Sequence, residues 1–157
     1  MNVIARAKDV QLSLVRDITI YTIQSIYPHY YPRGAVAFFI SHHDEQNILS
    51  DIQLGNVYLI YDQYHNAVGT ITLNKNEINR LFVLPKYQNQ GFGKQLIDFA
   101  EKEISKYYSY CQLAASLPAK TIYLKRGYQI IESHVIETNS RDFLCYDMMR
   151  KDLRGEK

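Results

Sequence analysis

The most informative stretch of the sequence covers residues 83–94 and reads VLPKYQNQGFGK. It follows an apolar strand pattern, is interrupted by Pro85, and leads into apolar residues at helical spacing after Gly91. A strand, a turn and a helix start are therefore predicted. The first N–H groups of a helix have no intrahelical acceptor and lie at the positive end of its dipole, so a phosphate can accept several hydrogen bonds there. The stretch predicts an anion site, although a glycine-rich turn that merely begins a helix would show the same pattern.

Two familiar phosphate loops do not fit this stretch. The dinucleotide-binding fingerprint would need a third glycine where Leu96 stands. The P-loop would need glycine at Gln88 and serine or threonine at Gln95. Gly91 and Gly93 nevertheless allow a close backbone approach and a positive φ, where a Cβ would clash.

Periodic segments separated by turn signals extend in both directions from this stretch. The predicted strands cover residues 2–7, 57–62, 67–73, 77–84, 111–115, 128–138 and 143–149. The predicted helices run from Asp9 to before Pro28, then up to Gly55, then from near Gly91, and over 119–125. Strands 57–84 should form an antiparallel meander. The whole order predicts an α/β (α+β) fold in which a mixed, mostly antiparallel central sheet has helices on both faces.

Length and composition indicate one domain over residues 1–157. With 46% hydrophobic residues, a chain of 157 residues can bury a large core without disulfides. Eighteen Lys and Arg against sixteen Asp and Glu give a net charge of +2, which does not indicate nucleic-acid or membrane binding. Cys111 and Cys145 have no metal-site spacing, and Arg6 and Lys8 interrupt the apolar N-terminal run. A cytoplasmic protein without a signal peptide or membrane span is therefore predicted.

A second motif makes the anion-site interpretation more specific. About thirty residues after the turn, the sequence reads Ala119-x-x-Ile122-Tyr123-x-x-x-Gly127-Tyr128. Together with Gln88-x-x-Gly91-x-Gly93 after a strand, this resembles the GCN5-related N-acetyltransferase (GNAT) family, closely over residues 77–128 and weakly over nearly the whole chain. The resemblance implies acetyl-CoA as the acetyl donor, with its pyrophosphate on the turn and its pantetheine arm along the preceding strand. The cofactor-binding residues so implied are Phe82, Val83, Gln88, Asn89, Gln90, Gly91, Phe92, Gly93, Lys94 and Ser116, the last standing where family members often carry an asparagine.

The chemistry of acetyl transfer suggests two catalytic residues. A departing thiolate needs an acid, and Tyr123 resembles the acid tyrosine of the family; a phenol with a pKa of about 10 is protonated at neutral pH. The alternative is that Tyr123 only packs its helix on the sheet. Glu77 stands where some family members hold a general-base glutamate, or it is a solvated charge at a strand end. Regular alternation would place Glu77 on the same strand face as Val83.

Two further groups of residues are candidates for the acceptor side. His29, Tyr30, Tyr31 and Arg33 lie in a loop that often walls the acceptor pocket in the resembled family, and Arg33 would suit a carboxylate. A packed tyrosine-rich loop is the alternative. The run of residues 42–45, HHDE, contains metal-ligand types, but adjacent helix residues diverge by about 100° and cannot easily share an ion. A solvated face and no metal are predicted there.

The sequence therefore predicts an acetyl-CoA-dependent N-acetyltransferase that moves an acetyl group to a primary amine of a small molecule or protein by direct attack. A non-catalytic acyl-CoA binding or sensing module with the same fold is the alternative, because a fold does not establish an activity. The expected partners are an amine acceptor and no nucleic acid or membrane. Pairing of edge strands into a homodimer stays open.

Overall fold

A seven-stranded sheet lies at the centre of the computed structural model, which describes residues 2–154. The strands are β1 (Val3–Arg6), β2 (Val57–Tyr61), β3 (Ala67–Asn74), β4 (Glu77–Val83), β5 (Tyr110–Ala115), β6 (Gln129–Glu137) and β7 (Phe143–Asp152). They lie in the order β1-β2-β3-β4-β5-β7-β6. Neighbouring strands are antiparallel except for the parallel pair β4 and β5. This is the mixed, mostly antiparallel sheet that the sequence predicted.

Helices cover both faces of the sheet and give each face its own core. The helices are α1 (Leu12–Ile26), α2 (Arg33–His42), α3 (Glu45–Gln53), α4 (Phe92–Ser105) and α5 (Leu117–Lys125). Buried residues of α1 to α3, such as Val15 and Ile48, form one cluster. Those of α4 and α5, such as Leu96 and Tyr123, form the other. Within residues 2–154, no helix combines the length and apolar character needed to cross a bilayer.

The second predicted helix is two helices in the structure. Asp44 has extended backbone angles, and its side chain accepts the N–H of Asn47 at 2.9 Å. An aspartate in this role caps a helix by satisfying an N–H group that lacks an intrahelical partner. The expectation of one helix up to Gly55 was therefore wrong. The break lies beside His43 and changes the surroundings of that residue.

β4 contains a bulge. Thr70 of β3 pairs with Phe82, whereas Thr72 pairs with Asn79, so β4 has one residue more than β3 between the two pairs. Arg80 lies in this segment with a φ of 46°, in the left-handed region that side chains other than glycine seldom adopt. The bulge breaks the regular alternation of side chains along β4.

A cleft opens between β4 and β5. The two strands pair only at Glu77 with Gln112 and at Ile78 with Leu113, near one end of β4. Further along, the edge of β4 that faces β5 is unpaired. The Leu84 N–H donates to Val68 of β3 at 2.9 Å, so by alternation the N–H of Val83 points to the opposite side, into the cleft.

The β6–β7 hairpin is attached to α2 by Asp142. One Asp142 carboxylate oxygen accepts the N–H of Gly34 at 2.7 Å, and the other accepts the Thr138 hydroxyl at 2.6 Å. A Cβ at Gly34 would overlap the side chains of both Thr138 and Asp142, so only glycine allows this approach. The contact places β7 beside α2 on one side of the sheet.

Candidate active site

The turn between β4 and α4 presents backbone N–H groups to a cavity of about 590 Å³. The Gln88 amide donates to the Val83 carbonyl at 2.9 Å and ties the turn to the end of β4. Gly91 precedes the helix with a φ of 91°, and α4 begins at Phe92. Because the first N–H groups of α4 have no acceptor within the helix, they are available to an anion. The cavity-lining residues from this segment are Gln88, Asn89, Gly91, Gly93 and Lys94.

Three cationic side chains border the same cavity, namely Lys94, Lys125 and Arg126. The Arg126 guanidinium is held by Glu101, with its Nε 3.0 Å from a carboxylate oxygen. The Lys94 ammonium lies 2.9 Å from an Asp98 carboxylate oxygen. Cations beside a helix N-terminus suit a ligand with several phosphate charges. Sequence reasoning missed Lys125 and Arg126, since they lie at the end of α5 and reach the turn only through the fold.

The two glycines of the turn are constrained differently. Gly91 has the left-handed φ that glycine adopts without strain. At Gly93, an added Cβ would lie 3.9 Å from the nearest Val83 carbon, an ordinary contact. The packing of the protein therefore does not require glycine at position 93. A ligand that lies close to the backbone at this position would require it.

A second cavity, of about 630 Å³, lies on the other side of the cleft between β4 and β5. The residues that border both cavities are Tyr27, Leu81, Phe82, Ser116 and Ala119. Ser116 is the residue before α5, and Phe82 lies on the part of β4 that β5 does not reach. The first cavity also includes Val83. Three of the sequence-predicted residues, Phe82, Val83 and Ser116, thus lie around the cleft.

Tyr123 lies in α5 on the wall of the second cavity. Its side chain is 5% exposed, and its ring packs edge-on against Tyr128 with the ring centres 5.3 Å apart. Burial raises the pKa of the Tyr123 hydroxyl, so the group is protonated at neutral pH. The Tyr123 hydroxyl makes no hydrogen bond within residues 2–154. Every fully buried polar side-chain atom in that range has a hydrogen-bond partner, so the Tyr123 hydroxyl is not fully buried and is open to the cavity.

A second tyrosine, Tyr27, borders both cavities and was not predicted from the sequence. It is buried between α1 and α2, where it contacts the rings of Tyr31, Phe39 and Phe82. Burial raises the pKa of the Tyr27 hydroxyl, and the neighbouring Ser116 hydroxyl partly offsets this. Tyr27 is therefore a second protonated donor at the junction of the cavities.

A polar cluster around Arg80 lies on the wall of the second cavity. The guanidinium donates to the Thr72 hydroxyl at 3.0 Å, to an Asp51 carboxylate oxygen at 2.9 Å and to Nδ1 of His43 at 3.4 Å. Burial, the Arg80 charge and His42 lower the pKa of His43 to about 3. His43 is therefore neutral at physiological pH. The expectation that residues 42–45 form a solvated face is wrong for His43, which packs edge-on against Phe82.

Glu77 lines neither cavity. It lies at the β3–β4 hairpin, paired with Asn74 and Gln112. The expectation that Glu77 shares a face with Val83 is wrong because of the bulge: Ile78, next to Glu77, and Val83 belong to the same core cluster. Glu77 therefore points to the opposite face from Val83.

The loop residues predicted to hold the acceptor are dispersed. Tyr30 borders the first cavity, on the side of the turn. Tyr31 is buried, and its hydroxyl accepts the Leu117 N–H at 2.6 Å, which fixes the start of α5; burial raises the pKa of Tyr31 to about 12. His29 and Arg33 are exposed and line neither cavity. The residues that do line the second cavity come mainly from α2, α3, β4, β5, α5, β6 and β7.

Comparisons with known proteins identify the family. The protein-family model of the acetyltransferase (GNAT) domain matches residues 26–151 of the sequence. The chain belongs to the GNAT acetyltransferase family, as the two sequence motifs predicted. No curated protein sequence matches the chain.

Solved structures share the fold over nearly the whole chain. A GCN5-related N-acetyltransferase from Rhodopseudomonas palustris has a TM-score of 0.86 and 20% identity, covering 97% of this chain and 96% of that one. PaiA N-acetyltransferase from Thermoplasma acidophilum, in complex with coenzyme A, has a TM-score of 0.71 and 17% identity, covering 97% and 99%. YncA from Salmonella typhimurium, with its cofactor acetyl-CoA, has a TM-score of 0.72 and 14% identity, covering 100% and 96%. Identities this low show a common fold.

Proposed function

We propose that this protein transfers the acetyl group of acetyl-CoA to a primary amine by direct attack of the amine on the thioester. The observation that carries the proposal is the pair of cavities that meet at the cleft between β4 and β5. One cavity has a helix N-terminus and cations, and the other has aromatic walls with a polar cluster around Arg80. Two substrates of different chemistry could therefore meet at Phe82 and Ser116.

The donor side is the cavity of about 590 Å³. The pyrophosphate of acetyl-CoA would accept hydrogen bonds from the N–H groups of the turn over residues 88–94, with Lys125 supplying charge. The pantetheine arm would run along the free edge of β4 at Phe82 and Val83, past Ser116. The presence of coenzyme A or acetyl-CoA in two structures of the same fold supports this assignment.

The transfer step can be written with balanced atoms. The amine nitrogen donates its lone pair to the thioester carbonyl carbon, and the carbonyl oxygen becomes an oxyanion. The Val83 N–H, which points into the cleft, is the proposed donor to that oxyanion. The C–S bond then breaks, and the thiolate takes a proton from the Tyr123 hydroxyl. The new amide nitrogen loses one proton, which restores Tyr123, so the net proton moves from amine to thiol.

No side chain is assigned here as general base. Glu77 lies outside both cavities and would reach the amine only through intervening water. An amine with a pKa of about 10.4 is neutral in only about one molecule in 2,500 at pH 7. The rate with such an amine should therefore rise with pH, because the neutral form is the nucleophile.

We also propose that the chain is a single domain and that it acts in the cytoplasm. Its two cysteines are free thiols: Cys111 is buried and Cys145 is exposed, which fits a reducing compartment.

The test of the proposed transfer is thiol release from acetyl-CoA across a panel of small primary amines and peptide amines, with the acetylated product identified by mass. Amine-dependent release supports the proposal. Tight acetyl-CoA binding without release for any amine would instead support the non-catalytic acyl-CoA binding module.

A further inference from the structure

The cavity on the acceptor side has a carboxylate that the proposed transfer step does not use. Asp51 of α3 lines this cavity, and its side chain is 28% exposed. One of its carboxylate oxygens accepts the Arg80 guanidinium at 2.9 Å. The other oxygen has no side-chain partner among residues 2–154 and can accept a hydrogen bond from a ligand.

Arg80 does not offer the cavity an equivalent cationic contact. Its side chain is 5% exposed, and it already donates to Thr72, Asp51 and His43. Among the described residues that line this cavity, Arg80 is the one Lys or Arg, and Asp51 is the one Asp or Glu. Their opposite charges cancel. An anionic group on the acceptor would therefore meet the exposed carboxylate without an accessible cation to bind it.

Much of the remaining wall is apolar and suits an acceptor with an apolar body. Phe38, Phe39, Phe82, Tyr146 and Met148 line the same cavity as the Arg80 cluster, together with a few polar side chains such as Asn47 and Asn79. Arg80 is two residues from Phe82 in the bulged segment of β4, and two residues span at most about 7 Å even when fully extended. An extended chain of about five carbons spans a similar distance.

We infer that the acceptor is a primary amine with an apolar body and a second hydrogen-bond-donating group, a hydroxyl or an ammonium, and that Asp51 binds this second group. The inference rests on the proposed acetyl transfer for the identity of the first nitrogen. It assigns Asp51 as the residue that determines specificity at the distal end of the acceptor. It also disfavours acceptors with a distal carboxylate.

The test uses four amines with the same five-carbon chain and different ends: 1,5-diaminopentane, 5-amino-1-pentanol, pentylamine and 5-aminopentanoate. Thiol release is measured for each at about pH 8. A hydrogen bond to a charged group should raise kcat/KM of the diamine and the amino alcohol about 10- to 100-fold over pentylamine. The amino acid should be the poorest of the four.

The Asp51→Asn variant separates recognition from a structural role. Its amide oxygen can still accept from Arg80, but the site changes from neutral to positive and gains a donor. The preference for the diamine over 5-aminopentanoate should therefore fall at least about tenfold, with a gain for the amino acid. A structural role alone would lower all four acceptors in parallel. Asp17→Asn is the matched control, because Asp17 is an exposed residue of α1 outside both cavities.

Binding is measured separately so that the two proposals can fail independently. Each amine is titrated calorimetrically into protein saturated with CoA, which cannot transfer an acetyl group. The predicted order of binding without any thiol release would support the role of Asp51 and contradict acetyl transfer. Equal use of the four amines, a parallel loss in Asp51→Asn, or neither binding nor release would overturn the role of Asp51.

Discussion

Replacing Gly93 with alanine should change stability and cofactor affinity in opposite directions. In the free protein, the added Cβ would lie 3.9 Å from Val83, so it causes no clash. Gly93 is the second residue of α4, and alanine is favoured over glycine in a helix by about 0.5–1 kcal/mol. For a chain of this size, that corresponds to a rise in Tm of about 1–4 °C.

The same methyl group should weaken binding of CoA. It projects from the backbone at the start of α4, where the pyrophosphate would lie close to the N–H groups. Displacing the phosphates enough to lose one good charge-assisted hydrogen bond costs about 1.4 kcal/mol or more, a tenfold increase in Kd. Differential scanning fluorimetry of the free protein and calorimetry with CoA measure the two effects.

A matched variant, Gly91→Ala, shows what strain alone would do. Gly91 has a φ of 91°, so a side chain there costs about 1–2 kcal/mol in the free protein. Gly91→Ala should therefore lower Tm, whereas Gly93→Ala should raise it. If Gly93→Ala binds CoA as tightly as the wild type, the pyrophosphate does not contact the start of α4 and the reasoning is wrong.

Three other predictions concern acid catalysis, pH and the base. Tyr123→Phe should lower turnover about 10²- to 10⁴-fold with CoA affinity retained, and a larger loss in Tyr27→Phe would move the acid role to that residue. His43, with its pKa lowered to about 3, stays neutral in the fold while the unfolded chain takes up a proton below about pH 6.5. The free energy of unfolding should therefore fall by about 2 kcal/mol from pH 7 to pH 5. Urea titrations should show a smaller fall in His43→Gln, whereas the exposed control His29→Gln should show the same fall as the wild type. Glu77→Gln should follow the wild-type pH–rate profile with an alkylamine, and a selective loss near neutral pH would show that it acts as the base through water.

The turn between β4 and α4, the proposed donor site, was largely predictable because its residues are local in the sequence. The turn, its glycines and the start of α4 are contiguous, so spacing alone predicts a helix N-terminus preceded by a strand. Lys125 and Arg126 escaped prediction because α5 reaches the turn only through the packing of the fold. The fold class was predictable for a similar reason, since turn signals separate the strands clearly.

The second cavity, the proposed acceptor side, was not predictable from the same patterns. Its walls come from elements between α2 and β7 that are far apart in the chain, such as α3, β4 and α5. The bulge at Arg80 reverses the face of every residue before it, and nothing in the composition of β4 signals a positive φ at an arginine. The break before α3 had a weak signal in Asp44, a residue type that favours helix N-caps. Recognising it would have placed His43 at a helix end.

The most direct test of the donor site is an amide NMR titration of the protein with CoA. The largest shifts should occur at the N–H groups of residues 88–94 and at Val83, the residues proposed to contact the pyrophosphate and pantetheine. The hairpin over residues 62–66, outside both cavities, should shift little. Saturating CoA that leaves residues 88–94 unchanged, or shifts that centre on another surface, would contradict the account.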